Sequence, residues 1–220
     1  MAAVVVDDSS QARVEGLLDR LRASLGRGKG HPLSWKNLKG HSLRMEASGA
    51  LGDANDWLTI SAVVVCKRHL ETGAIRSDEN AYLYTLRYLL ERLSWLGRDR
   101  RSTVGYTLSH ITRFKLATLR EYEARLRSLP TEIKWEYMDP RGGMIDQPAR
   151  LEGLQLADLA ASAIFQGFEP DRYGRTEDRY TVQLAPALYR RPQGSLMSYG
   201  LKMHPWNKAT QGAYSWVTTL

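Results

Sequence analysis

The segment GLQLADLAASAIF, Gly153 to Phe165, carries only three polar side chains, Gln155, Asp158 and Ser162. Spacings of three and seven place them on one stripe of an α-helix. The other faces are apolar, so a helix over Leu151 to Phe168 packs on most of its sides. An ionised carboxylate in such a helix is costly unless a metal, a cation or several hydrogen bonds compensate it. Two readings of the stripe stand side by side. In one, Asp158 is a metal ligand or acid–base group facing a polar site, with Gln155 as an orienting donor. In the other, Asp158 caps a helix beginning at Leu159 or bonds locally.

Upstream of this helix, strand and helix signals alternate. Ala2 to Val6 is a β-branched run that ends at Asp7 and Asp8, with Ser9 and Ser10 as helix N-cap candidates. Val14, Leu17, Leu18, Leu21 and Leu25 fall three and four apart and predict a helix over Gln11 to Leu25, stopped by Gly26. His31 to Leu43 shows no clear periodicity. Trp57 to Lys67, with Val63, Val64 and Val65 in a row, reads as a central strand covered on both faces, followed by a loop from His69 to Ser77. A second helix is expected over Asp78 to Leu96, with Gly97 as its stop, then a short strand at Thr103 to Leu108. Ser109 is a candidate cap for a third helix reaching Leu129, and Ile133, Trp135 and Tyr137 alternate as a strand within Thr131 to Met138. Asp139 to Gly143 is a turn, and beyond Gly167 the Pro-, Gly- and Arg-rich tail reads as loop with short elements. The expected class is α/β. Residues 1–170 form the α/β domain, and 171–220 form a C-terminal extension packed on it.

With 220 residues, 43% hydrophobic and 25% charged, the chain has enough apolar content for a packed core, which excludes wholesale disorder and collagen-like repeats. Cys66 is the single cysteine, so no internal disulfide or Cys-rich zinc site can form, and a reducing, cytoplasmic setting is expected. No apolar run approaches the roughly 20 residues of a membrane helix, so no membrane partner is expected. Thirty-one Lys and Arg against 24 Asp and Glu give a net charge of +7, which favours a polyanionic partner, nucleic acid first.

Gly153 to Ala161, above all its Gln-x-x-Asp core, resembles the C-terminal motif of the domain of unknown function 3800 family. The Trp35 to Lys39 segment, the valine strand ending Cys66-Lys67-Arg68, the helix through Leu89 to Arg92 and the Ile133-Lys134-Trp135 stretch with Asp139-Pro140 fit that family in order. The resemblance implies a ribonuclease H-like mixed sheet flanked by helices. It also implies a metal-dependent nuclease using Mg²⁺ or Mn²⁺, with a role in bacterial defence or as a toxin. Under it Asp158 and Asp139 are the candidate metal ligands, and Asp158, Gln155 and Asp139 the candidate catalytic residues. Family members open on a strand with an Asp-Glu-Ser-Gly-like motif, and that first strand is absent ahead of Ala2. Either the start given lies downstream of the real one or another element substitutes. Asp7 and Asp8 follow a strand but map to the end of the second one, which makes them turn residues before ligands. Asp139, ahead of Pro140 in a Gly-rich turn, reads as ligand or as turn residue.

Between Arg20 and Arg44 lie seven cations and no acid. Arg20, Arg22, Arg27, Lys29, Lys36, Lys39 and Arg44, with Trp35 among them, are therefore the candidate nucleic-acid surface, Trp35 stacking on a base. Arg98, Arg100 and Arg101 form a second cluster. A solvated loop is the competing reading, and a non-catalytic binding or interaction protein, acting as a homo-oligomer or with a protein partner, is the competing function. Gly26 to Gly30 is not a phosphate loop, because it follows a helix and no Ser or Thr follows Lys29. The five histidines show no zinc spacing, and Cys66 reads as a small buried side chain.

Overall fold

The computed structural model describes residues 1–70, 77–112 and 114–220. It is a mixed α/β structure with small mixed sheets flanked by helices. In chain order the elements are β1 (Ala2–Val6), α1 (Gln11–Ser24), α2 (His41–Asp53), β2 (Leu58–Val65), α3 (Asp78–Arg100) and β3 (Thr107–Ser109). They continue with α4 (Leu116–Ser128), β4 (Met144–Asp146), α5 (Gly153–Gln166), α6 (Arg179–Leu184), β5 (Leu201–His204) and α7 (Lys208–Ala213).

β2 is the central strand of a three-stranded sheet, as its valine run predicts. β1 pairs with it antiparallel, Ala2 opposite Ala62 and Val6 opposite Leu58, and β5 pairs parallel on its other edge, Ala62 opposite Leu201. Alternate side chains enter two cores. Leu58, Ile60 and Ala62 join residues of α1, α2, α5 and α6 on one face, whereas Val63 joins α3 and α4 on the other. β3 and β4 form a separate parallel pair. The 171–220 segment supplies β5 and several core residues, among them Leu184, Leu188, Met203 and Val217.

Local chemistry accounts for the departures from the expected elements. α2 lacks a clear apolar period because small residues make its contacts: Ala47, Ser48, Leu51 and Gly52 are buried, and a Cβ on Gly52 would run into the Gln183 carbonyl. Gly97 does not stop α3, which runs on to Arg100. A Cβ there would sit 2.8 Å from the Ser102 carbonyl, so the glycine serves close packing, and Arg101 takes the left-handed turn at φ 54°. Ser10 precedes α1 without a side-chain cap bond, whereas Ser77 does cap α3 by accepting from the Asn80 amide at 3.1 Å. The third helix begins at Leu116 rather than after Ser109; residue 113 of that stretch, and residues 71–76 of the expected loop, lie outside the described residues.

Thr131 to Met138 is not a strand. The Trp95 indole donates to the Glu132 carbonyl at 2.8 Å and the Ser94 hydroxyl accepts from the Lys134 amide at 2.9 Å, which pins the segment onto α3 and leaves a 3₁₀ turn at Trp135–Tyr137. No helix among the described residues is long and apolar enough to cross a membrane.

Candidate functional site

α5 meets the loop that follows α1. Gln155 is buried, and its side-chain oxygen accepts from the Leu33 amide at 2.7 Å while its nitrogen donates to the Pro148 carbonyl at 2.8 Å. One helical turn on, Asp158 Oδ2 accepts from the Trp35 amide at 3.0 Å. Residues three apart on a helix are separated by about 4.5 Å along its axis. Two residues of extended chain span somewhat more, about 6.6 Å, a difference that side-chain splay absorbs. The Gln-x-x-Asp spacing therefore acts as a clip that holds the amides of Leu33 and Trp35, which lie two apart in sequence.

Arg22 completes the clip from α1. It is 2% exposed, donating to Glu152 at 2.6 Å, to Asp19 at 2.8 Å and to the His31 carbonyl at 2.9 Å. The Arg22 hydrogen bond holds the Asp19 carboxyl below the usual carboxylate range. Because its guanidinium is committed inward, Arg22 is withdrawn from the expected nucleic-acid surface. Trp35 is withdrawn as well. Its ring is buried edge-on against Tyr180, 5.2 Å between centroids, with the Arg44 guanidinium 5.2 Å from the ring centre, so it offers no free face to a base. Arg44 also donates to the Leu38 carbonyl at 3.1 Å. Arg20, Lys29, Lys36 and Lys39 are exposed and Arg27 is half-buried. Of these five, Lys29 alone has an ion-pair partner among the described residues, Asp19 at 3.6 Å.

Asp158 is not the sealed carboxylate that its apolar neighbours predict; it is exposed. It lines a groove of about 690 Å³ together with Asp7 and Asp8, both exposed at the end of β1. Asp139 does not belong to that lining. Its carboxylate is gripped by Arg141, whose backbone amide donates at 2.9 Å and whose guanidinium donates at 2.7 Å, and these bonds hold the carboxyl below its usual range. Asp139 thus behaves as the turn residue of the two readings offered by its sequence. Among the described residues no three of His, Cys, Asp and Glu gather as a metal ion would require.

The groove runs between β1 and the 104–109 segment, with Tyr82, Leu86, Leu89 and Leu93 of α3 on one face and Leu154, Ala157 and Ala161 of α5 on the other. Two residues that support its far wall escape a reading of the sequence. Tyr106 donates to Glu123 at 2.7 Å, and the same buried carboxylate accepts from the Gly143 amide at 2.8 Å and from Arg120 at 2.9 Å. Burial, then the Glu123 hydrogen bond, pushes the Tyr106 phenol far up. The available signal is Glu123 lying on the apolar stripe of Leu119, Tyr122 and Leu126. Comparison with family models, with curated proteins and with solved structures finds no match for this chain.

Proposed function

We propose that the chain is a nucleic-acid-binding protein of ribonuclease H-like architecture, holding a phosphate backbone on the cations between Arg20 and Lys39. One observation carries this reading. Arg20, in the last turns of α1, and Arg27, Lys36 and Lys39, on the segment after it, have no ion-pair partner among the described residues, and that segment is fixed by Gln155, Asp158 and Arg22. Unpaired cations on an anchored loop meet phosphates with little ordering cost. The architecture is supported by the central β2 and by helices on both faces of the sheet.

The Mg²⁺ or Mn²⁺ site implied by the resemblance calls for three or four converging carboxylates. Asp158 spends one oxygen on Trp35, Asp139 is engaged by Arg141, and Asp7 and Asp8 join Asp158 in no ligand group. This donor set does not fit a divalent ion. Metal-assisted hydrolysis centred on Asp158 is therefore kept only as the opposing outcome of the test.

A single titration series separates the two. Labelled single- and double-stranded DNA and RNA are titrated at several salt concentrations, with Mn²⁺ or with chelator. Binding that weakens with salt supports the binder, as does a salt slope on double-stranded DNA that falls by about 0.9 for each phosphate that Lys36→Ala or Lys39→Ala leaves unneutralised. Manganese-dependent cleavage that disappears in Asp158→Asn supports hydrolysis. Salt-insensitive or absent binding overturns the first reading.

A further inference from the structure

The groove beside β1 has two backbone walls, and neither is hydrogen-bonded across it. Met1 and Val63 exchange both bonds of an antiparallel pair, at 3.0 and 2.8 Å. Bonded pairs recur every second residue, so Ala3 and Val5 also turn toward β2, while Ala2, Val4 and Val6 aim their N–H and C=O groups away from it. On the opposite wall the Tyr106 carbonyl accepts from Met144 at 2.9 Å and the His110 amide donates to Asp146 at 2.8 Å. The alternation leaves Gly105, Thr107 and Ser109 facing away from β4. These six residues all line the groove, and none has a backbone hydrogen bond across it among the described residues.

Unpaired strand edges are templates for a further strand. Here two of them face one space, roofed and floored by the apolar faces of α3 and α5. A strand lying between β1 and β3 would satisfy both edges and join the two sheets into one. Five residues, the length of β1, would span about 17 Å of it at the usual rise per residue. The charge of the lining is the reverse of the chain's own. It contains Asp7, Asp8 and Asp158 but no lysine, arginine or histidine, although the whole chain carries +7. A phosphate backbone is repelled there, and an apolar segment with a basic end is favoured.

We propose that this groove is a β-strand acceptor for a partner polypeptide, which inserts an extended segment with apolar side chains on both faces and a lysine or arginine beside Asp7 and Asp8. Main-chain bonds to both walls supply affinity, and the pockets over Leu86 and Leu89 on one side and Ala157 and Ala161 on the other select the side chains. The cations of the nucleic-acid reading, Arg20 on α1 and Arg27, Lys36 and Lys39 after it, lie outside this lining, so the two sites stand or fall separately.

The test uses end-capped, fluorescently labelled hexapeptides on the full chain. One is Lys-Val-Thr-Val-Ile-Val, one has the same residues in reverse order, one has Glu for Lys, and one has alternate amides N-methylated. Anisotropy should show one of the two lysine peptides bound. The N-methylated and Glu copies should bind at least about tenfold more weakly, the loss expected when one or two main-chain or charge-assisted bonds fail. Amide exchange at Ala2, Val4, Val6, Thr107 and Ser109 should slow when the peptide binds. Ala157→Leu, which fills the groove from α5, should weaken binding while leaving the circular dichroism spectrum unchanged. Equal binding of the N-methylated copy, no binding of either lysine peptide, or unchanged exchange at those amides overturns the proposal. So does sedimentation showing that the protein alone dimerises with these amides already protected, which would make a second copy the occupant.

Discussion

Replacing Gln155 by leucine keeps the volume of the side chain and removes its hydrogen-bonding groups. Three partners are affected. The Leu33 amide, on a residue 2% exposed, loses its acceptor; the half-buried Pro148 carbonyl loses a donor; and Arg22 loses a long hydrogen bond at 3.5 Å. An orphaned buried amide costs about 1–3 kcal/mol, and a half-buried carbonyl that can turn to water costs about 0.5–1 kcal/mol. Added apolar burial of the leucine returns about 1 kcal/mol at most, so Gln155→Leu should destabilise the fold by about 1–3 kcal/mol. Asp158→Asn retains a side-chain oxygen for the Trp35 amide and should stay within about 1 kcal/mol of the parent. Urea unfolding of the parent and both variants measures the difference, and amide exchange at Leu33 locates it. If Gln155→Leu unfolds at the parent's midpoint, or if Leu33 exchanges no faster in it, Gln155 does not clip the basic loop, and the Gln-x-x-Asp spacing needs another explanation.

Three further outcomes follow from the packing and the charges. Gly52→Ala places a methyl group against the Gln183 carbonyl and should lower stability by about 1–3 kcal/mol through separation of α2 and α6, measured by thermal unfolding. Glu123→Gln keeps an acceptor for the Gly143 amide but surrenders the charge that Arg120 and Tyr106 engage, at a cost of about 1–2 kcal/mol in urea, with the Tyr106 phenol titrating at lower pH than in the parent. His204 accounts for a pH effect. Its ring is stacked on Tyr88 and meets the Tyr84 hydroxyl at 2.7 Å, and burial, then Lys202, Arg92 and Arg87, lower its pKa below the ordinary 6.5. The unfolded chain then takes up the proton first, so this contribution to stability is present above pH 6.5 and is lost as pH falls through that value toward the folded pKa. Urea midpoints measured between pH 7.5 and 5 should decline, and the decline should be shallower in His204→Gln.

How much of this is legible from residues alone depends on the kind of side chain that does the packing. β1, β2, α1, α3 and α5 announce themselves because Val and Leu recur at strand or helix period. α2 hides because its packing runs through Gly52, Ala47 and Ser48, whose value is closeness rather than hydrophobicity. β5 hides because four residues, Leu201–His204, need β2 to define them. At the site, the stripe of Gln155 and Asp158 is visible, but their partners are backbone amides, which no sequence pattern displays. The burial of Arg22 does leave a trace. It falls four residues after Leu18, on the stripe of α1 that faces the core.

β2 finds one neighbour early and the other very late. β1 precedes it by some fifty residues, but β5 arrives only at Leu201–His204, close to the end of the 220-residue chain. During synthesis this edge of the central strand therefore stays bare until Leu188 bridges to Ile60 and Leu201–His204 follow, more than 120 residues after Val65, and closing so long a loop is slow. A nascent chain stalled before Leu201, or a product truncated there, would present that edge to other chains, and aggregation rather than loss of a surface function would be its first symptom.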